Sequence, residues 1–323
     1  MRYVSLFIIG FISMSSHGQS RDSFVQFVKQ LRLDAIEHNI STVTVERSLA
    51  KVKQFKRAVF HGQRTKPLKS SLEAYLKAEV PPWKIKKARQ LFKEHGVLLQ
   101  KIAEKYQVQP RFILAIWGIE TGFSKKLSSY PAMSVLISLA YNEPNNGALR
   151  QQVFSILSAL DNDASRHVDF RSDRLGQLGM INFSVLNYLS SAQDFDRDGF
   201  SDVWQSNADA FASVANFLAE NGWDNQQTWG RQVKLPANFS AKEIGLNKSK
   251  TLSQWQKLGV RRFNGNQLPR VEIKASLVAP DGFNGRIYLV YNNFNTLLVW
   301  NNSPYFPSAV GYLADRIKFP PVE

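Results

Sequence analysis

The chain of 323 residues contains no cysteine. Disulfides, thiolate zinc sites, cysteine nucleophiles and lipid attachment through an N-terminal cysteine are therefore excluded. Histidine is scarce too, with five residues at positions 17, 38, 61, 95 and 167, no two within seven of each other. That spacing gives no support to a helix carrying paired histidine metal ligands. Long apolar runs are few and mean hydropathy is −0.27, which excludes a polytopic membrane protein. Acidic residues are outnumbered, with 26 Asp and Glu against 41 Lys and Arg, a formal charge of +15. A basic surface suits nucleic acid, lipid headgroups or an acidic cell-wall lattice, and is equally compatible with an ordinary soluble protein of basic pI. Apolar surface, by contrast, is plentiful. Hydrophobic residues make up 44%, with 22 Phe and 7 Trp, so disorder is excluded as the dominant state. The length allows two domains, or one large domain with appendages.

The N-terminus narrows the choice of partner. Met1 and Arg2 precede an apolar run from Tyr3 to Met14, followed by small residues at Ser16 and Gly18. This reads as a signal peptide over residues 1–18, with a buried N-terminal helix as the alternative. The run is too short for a stable spanning helix. The expectation is an exported, periplasmic protein with no lipoprotein anchor. Its anionic partner is then a cell-wall polymer or lipid, and no nucleic acid.

Apolar residues recur at helical spacing over residues 22–60, 69–80 and 82–107, with Pro81-Pro82 between the last two segments. Pro110 fits the first turn of a helix. Residues 132–141 and 147–160 predict two more helices, and residues 207–221 another, stopped by Asn221-Gly222. Over residues 231–285 the periodicity is lost and Pro, Gly, Asn and β-branched residues rise. Short strands are expected at 271–273 and 286–290, and a final helix over 308–317. The fold class is mainly α (α+β), with a small β or irregular insert and no internal repeat.

Three segments carry chemistry. Residues 111–123 read RFILAIWGIETGF, with no charge from Phe112 to Ile119. Such a helix is buried nearly all round. Glu120 ends it, and Gly122 is placed to cap it. A carboxylate there faces the negative end of the helix macrodipole in apolar surroundings, and both effects raise its pKa towards that of a general acid. The alternative is a Glu that reaches solvent or an arginine such as Arg111. Residues 194–205 read DFDRDGFSDVWQ. Asp194, Asp196, Asp198 and Asp202 take the first, third, fifth and ninth positions of an EF-hand loop, Gly199 takes the sixth, and Phe200 offers its carbonyl. Gln205 stands where the bidentate Glu belongs, and Asp209 is the candidate replacement. These hard oxygen donors favour Ca²⁺ as a structural clip, with a solvated acidic turn as the alternative. Residues 291–306 read YNNFNTLLVWNNSPYF. Amides interleaved with aromatics suit sugars, or form an Asn-rich turn between strand and helix. Gly176 and Gly179, three apart, permit close backbone approach.

Taken in this order, the segments resemble the lytic murein transglycosylase B family. The resemblance rests on Trp117-Gly118-Ile119-Glu120-Thr121, on Gly176, Gly179 and Phe183, and on the acidic loop ending in Trp204. Ala215-Asn216-Phe217, Asn293-Phe294, Trp300-Asn301 and Ser303 extend it, and it covers roughly residues 22–318. It implies a lysozyme-like core in which Glu120 is the single catalytic acid and base. The reaction implied is cleavage between N-acetylmuramic acid and N-acetylglucosamine with a 1,6-anhydro product. It also implies calcium at Asp194, Asp196, Asp198, Phe200 and Asp209. The implied cleft is lined by Asp173, Asn182, Phe183, Phe217, Trp300, Asn301, Ser303 and Phe306. The expected division is 19–108 as an N-terminal helical region, 109–230 as the core, 231–285 as the insert and 286–323 as the segment completing the core. Partners implied are peptidoglycan strands and other cell-wall enzymes, for a monomer. Asn182 replaces the family's Gln, Val185 its Pro, Asp173 its Ser, and Phe217, Trp300 and Phe306 its cleft tyrosines. These departures keep two other readings open: a glycan-binding protein of the same fold, and a hydrolysing muramidase using Asp173 as second carboxylate.

Overall fold

The computed structural model describes residues 21–56, 71–124, 129–162 and 170–318. The signal-peptide reading at 1–18 lies outside them. Within them the fold is mainly α, with thirteen α-helices, a two-stranded ribbon and a five-stranded sheet. The N-terminal half runs α1 (Arg21–Glu37), α2 (Thr42–Leu49), α3 (Leu72–Glu79), α4 (Pro82–Glu94), α5 (Gly96–Tyr106) and α6 (Pro110–Thr121). The ribbon strand β1 (Tyr130–Pro131), helices α7 (Ala132–Asn142) and α8 (Gly147–Asn162), and the paired strand β2 (Arg171–Ser172) follow. Next come α9 (Val185–Ser191), α10 (Asn207–Glu220), β3 (Gly230–Lys234), β4 (Gly245–Thr251), α11 (Leu252–Lys257) and β5 (Arg261–Arg262). The chain closes with β6 (Lys274–Val278), β7 (Tyr288–Val290), α12 (Asn292–Trp300) and α13 (Tyr305–Lys318).

Helix α6 is the axis of the molecule. Every residue from Arg111 to Ile119 is buried, because α4, α5, α10 and α13 pack around it. An all-apolar helix has no face for water, so it must be surrounded. Its one cation, Arg111, is buried and pairs with Asp315 of α13 at 2.9 Å. Gly311 of α13 faces the indole of Trp229, and a Cβ there would lie 2.2 Å from Trp229 Cδ2. Only glycine permits that approach.

The five strands run antiparallel in the order β4-β6-β7-β3-β5. Successive residues of a strand point to opposite faces, and β7 uses both. Tyr288 and Val290 join the helical core, whereas Leu289 joins a second apolar cluster built around Trp255, Leu252 and Leu277. Helix α3 is tied to the chain leading into β7. Arg286 donates to both carboxylate oxygens of Glu73 at 2.6 and 3.0 Å, and Leu72 N donates to Asp281 Oδ2 at 2.6 Å.

Some boundaries differ from the sequence reading. The strand expected at 271–273 begins at Lys274 instead, where Ala275 and Leu277 bury towards the second cluster; Val271 is exposed. The helical spacing over 82–107 is realised as two helices, α4 and α5, divided at His95. Residues 292–300 are helical where a turn or strand was expected. Asn292 and Asn293 do not break that helix, because their side chains bond the loop at 222–227. Asn292 donates to Gly222 O at 2.7 Å, and Asn293 donates to the carbonyls of Asp224 and Gln227 and accepts from Asp224 N.

Candidate active site

The carboxyl of Glu120 lies at the C-terminal end of α6. Gly122 ends the helix in the left-handed conformation, φ 63°, with its N–H bonded to Gly118 O. Thr121 fixes the last turn sideways, donating from Oγ1 to Met180 O at 2.8 Å. Met180 belongs to the tight loop opened by the two glycines. Gly179 has φ 67°, and a Cβ on it would strike Val203 O at 2.4 Å, so that loop can approach only as glycine. The same loop turns Asn182 into a left-handed conformation, φ 51°. Its amide donates to Glu120 O at 3.1 Å and to Glu120 Oε2 at 3.2 Å.

The other carboxylate oxygen is held from 180 residues away. Trp300, the last residue of α12, donates from Nε1 to Glu120 Oε1 at 2.8 Å. Its ring packs against Phe183 and Phe217, with centroids 5.0 Å from each. Phe183, Phe217 and Phe306 are themselves buried. The first two therefore brace Trp300 from behind, and none of the three presents a ring to open space. Asn301 and Ser303 form the turn between α12 and α13, where Asn301 Oδ1 accepts from Ser303 N at 3.1 Å.

Both donors to Glu120 are neutral, and among the described residues no Lys or Arg pairs with it. Arg111 is committed to Asp315 at the opposite end of the helix. Burial pushes the Glu120 carboxyl up to about 7, and the bonds from Trp300 and Asn182 pull the other way. The negative charges of Asp173 and Glu79 add to the upward push. Asp173 Oδ1 accepts from Leu175 N at 2.8 Å and Gln177 N at 2.9 Å, shaping the glycine loop.

The sequence reading missed the contribution of α3 and the start of α4. Glu79 stands near enough to act on Glu120, and Tyr75, whose phenol is raised by burial, feels both carboxylates. Lys84 is buried beside Glu79, its Nζ at 3.8 Å. The exposed Trp83 reaches the end of α6, with Cη2 3.8 Å from where a Cβ of Gly122 would be. No local pattern marks these residues, since they meet Glu120 only through the packing of α3 and α4.

The acidic loop gathers as its spacing requires. One oxygen from each of Asp194, Asp196, Asp198 and Asp209 lies within 4.8 Å of the others. Asp209, in the first turn of α10, is fully buried and accepts from Phe195 N at 2.7 Å and Asp202 N at 2.8 Å. Asp194 accepts from Arg197, Asp198 and Gly199 N–H groups. Asp202 stays outside the cluster, its Oδ1 accepting from Trp204 N and Gln205 N at 2.9 Å each. The Phe200 carbonyl accepts from Asp202 N at 3.0 Å, and its ring stacks on Trp204. Four converging carboxylates repel one another unless a cation lies among them, and an all-oxygen set of this kind fits a hard divalent ion.

The raised carboxyl has a consequence for stability. Between about 4.5 and about 7 the folded protein retains a proton that the unfolded chain has released. The stability this supplies is complete below about 4.5 and is lost as pH rises through about 7. Glu120→Gln carries no such loss. Its thermal stability relative to wild type is expected to rise between pH 5 and pH 8, by about 2 kcal/mol. A pH-independent difference in melting temperature contradicts the raised carboxyl.

The transglycosylase SLT domain family matches residues 23–315. Membrane-bound lytic murein transglycosylase B of Escherichia coli (strain K12) is 26% identical over 250 residues, 75% of this chain and 66% of that protein, just under two thirds of its length. SltB3 from Pseudomonas aeruginosa, in complex with NAG-anhNAM-pentapeptide, is 31% identical and superimposes with a TM-score of 0.81, covering 93% of this chain and 80% of that one. The complex of SltB3 with NAG-NAM-pentapeptide gives a TM-score of 0.82 over the same shares. At 21% identity, Escherichia coli Slt35 in complex with calcium has the same fold, with a TM-score of 0.73 over 91% of this chain and 92% of that one. The chain belongs to the transglycosylase SLT domain family, and within it to the lytic murein transglycosylase B type, with that group's lysozyme-like fold.

Proposed function

We propose that the protein is an exported lytic transglycosylase that cleaves peptidoglycan between N-acetylmuramic acid and N-acetylglucosamine, with Glu120 as its single acid and base. The observation that carries this reading is a carboxyl raised to about 7 and held by two neutral donors. As the glycosidic C1–O bond breaks, the Glu120 carboxyl gives its proton to the leaving oxygen. The resulting carboxylate then takes the proton of the muramoyl 6-hydroxyl as that oxygen bonds to C1. The product is a 1,6-anhydro end, and Glu120 is protonated again for the next cycle. The nucleophile belongs to the substrate, so neither a second carboxylate nor an activated water is required. A group near 7 serves both steps, since it gives and accepts a proton with little cost either way. Trp300 and Asn182 hold the carboxyl in place and steady its charged form once the proton has left.

Support for a peptidoglycan substrate comes from the relatives: SltB3 is crystallised with NAG-anhNAM-pentapeptide and NAG-NAM-pentapeptide. Export rests on the N-terminal run, and no helix among the described residues is long and apolar enough to cross a membrane. The proposal keeps residues 19–108 as a helical region, 109–230 as the core, 231–285 as the insert and 286–323 as its completing segment. It treats the protein as a monomer that meets other cell-wall enzymes on its polymer.

Calcium belongs to the same proposal. Asp194, Asp196, Asp198 and Asp209, with the Phe200 carbonyl, would hold it, and its charge would neutralise the cluster and pin the loop to α10. A ligand of the folded state stabilises by mass action, about 2.7 kcal/mol at a hundredfold excess over its Kd. Exhaustive chelation is therefore expected to lower the melting temperature and added Ca²⁺ to restore it. An unchanged melting curve would count against the site.

Turnover is tested by mass analysis of soluble products from sacculi. Wild type is expected to release anhydro-muropeptides, and Glu120→Gln, nearly isosteric, to release none above background while melting as a folded protein. Products one water heavier would replace this reading by hydrolysis. Binding without products would make the protein a glycan-binding member of its family.

A further inference from the structure

A cavity of about 1030 Å³ opens at the far end of α6 from Glu120, about 15 Å away along the helix axis. Pro110 and Arg111, the first turn of α6, form one wall, which adds the positive end of the helix dipole. Arg231 of β3, Arg262 of β5 and Lys318 at the end of α13 complete a basic lining. Among the described residues, no Asp or Glu lines the cavity. Behind it, Asp315 is already engaged by Arg111 at 2.9 Å, Trp229 Nε1 at 3.2 Å and Arg231 at 3.7 Å. Arg262 is exposed, and among the described residues no carboxylate pairs with it. Arg111 and Arg231 share Asp315. The floor is apolar, from Val233, Leu252, Leu268 and Leu289, and the exposed Phe263 forms part of the rim.

We propose that this cavity is a second binding site, which takes the carboxylate-bearing peptide stems of the wall polymer while Glu120 works on its glycan. This rests on the peptidoglycan reading above. Guanidinium groups match carboxylates in a planar, bidentate fashion, which uncharged sugar hydroxyls do not exploit. An apolar floor beneath a cationic rim suits a short peptide with an ionised end, and the volume lies at the upper end of the range for pockets that enclose small ligands. Part of the surplus charge of this basic chain then has a defined use: it holds the enzyme on its polymer at a place separate from the bond being cut.

The test uses the full chain carrying Glu120→Gln, so that the polymer survives, and measures retention on intact sacculi and on glycan strands stripped of peptide by an amidase. The parent is expected to bind intact sacculi more tightly than stripped strands. R231A/R262A is expected to bind intact sacculi roughly tenfold more weakly, close to its binding of stripped strands, and R231K/R262K to recover part of the loss. Arg262→Glu alone, at an exposed position, is expected to weaken binding to intact sacculi in the same direction if the double variant does not fold. Equal binding of the parent to both polymers would overturn the proposal, as would unchanged binding by a folded R231A/R262A or by Arg262→Glu. Turnover by wild type is scored separately, so a failed exosite and a failed catalytic reading give different results.

Discussion

One carboxyl, taken out of water at the negative end of a buried helix and given only neutral partners, is the constraint to which the rest of the structure answers. Desolvation favours its protonated form, and the helix dipole acts in the same direction. An arginine at this position would have erased the effect by stabilising the charge. The fold supplies an indole and an amide instead, from Trp300 and Asn182. Such donors fix the two oxygens without driving the carboxyl to permanent ionisation, and burial still holds it near 7. The helix's one buried cation is placed at its opposite end, where Asp315 engages it.

Holding that arrangement requires segments far apart in the chain. Trp300 can donate only because α12 ends beside α6, and α12 is tied down by Asn292 and Asn293 bonding the loop after α10. Asn182 can donate only because Gly179 lets its loop lie against Val203. The acidic loop touches both the glycine loop, where Met180 N donates to Val203 O at 2.9 Å, and α10, where Asp209 accepts from Phe195 N and Asp202 N, so the order of the carboxylate cluster bears on the side of the site that carries Asn182 and Phe217. Phe183 and Phe217, buried behind Trp300, turn aromatic volume into rigidity of the donor. Phenylalanine at such positions therefore bears on packing before it bears on ligand contact.

Local signals carried much of this into the sequence. The uncharged run from Phe112 to Ile119 followed by Glu120 and Gly122 marked a buried helix with a carboxyl at its end, and the aspartate spacing marked the loop before its geometry was known. Asp202 illustrates the limit of spacing. It occupies the ninth position, yet two backbone N–H groups beyond it claim its Oδ1, while buried Asp209 joins the cluster. Residues 292–300 illustrate another limit. Their asparagines disfavour a helix locally, and tertiary bonds to residues 222–227 override that preference. Glu79, Tyr75 and the basic cavity left no trace in the pattern, because each exists only where elements distant in sequence meet.

The most direct measurement of the central claim is a titration of the Glu120 side-chain carboxyl itself, by carbon-13 NMR of glutamate-labelled wild type with Glu120→Gln to assign the signal. The account requires a midpoint near 7, where burial places it. It also requires that Trp300→Phe move the midpoint upwards, because the lost bond favours the charged form. A midpoint in the ordinary range for glutamate, about 4.3, would contradict it, since a carboxyl already ionised at neutral pH has no proton to give.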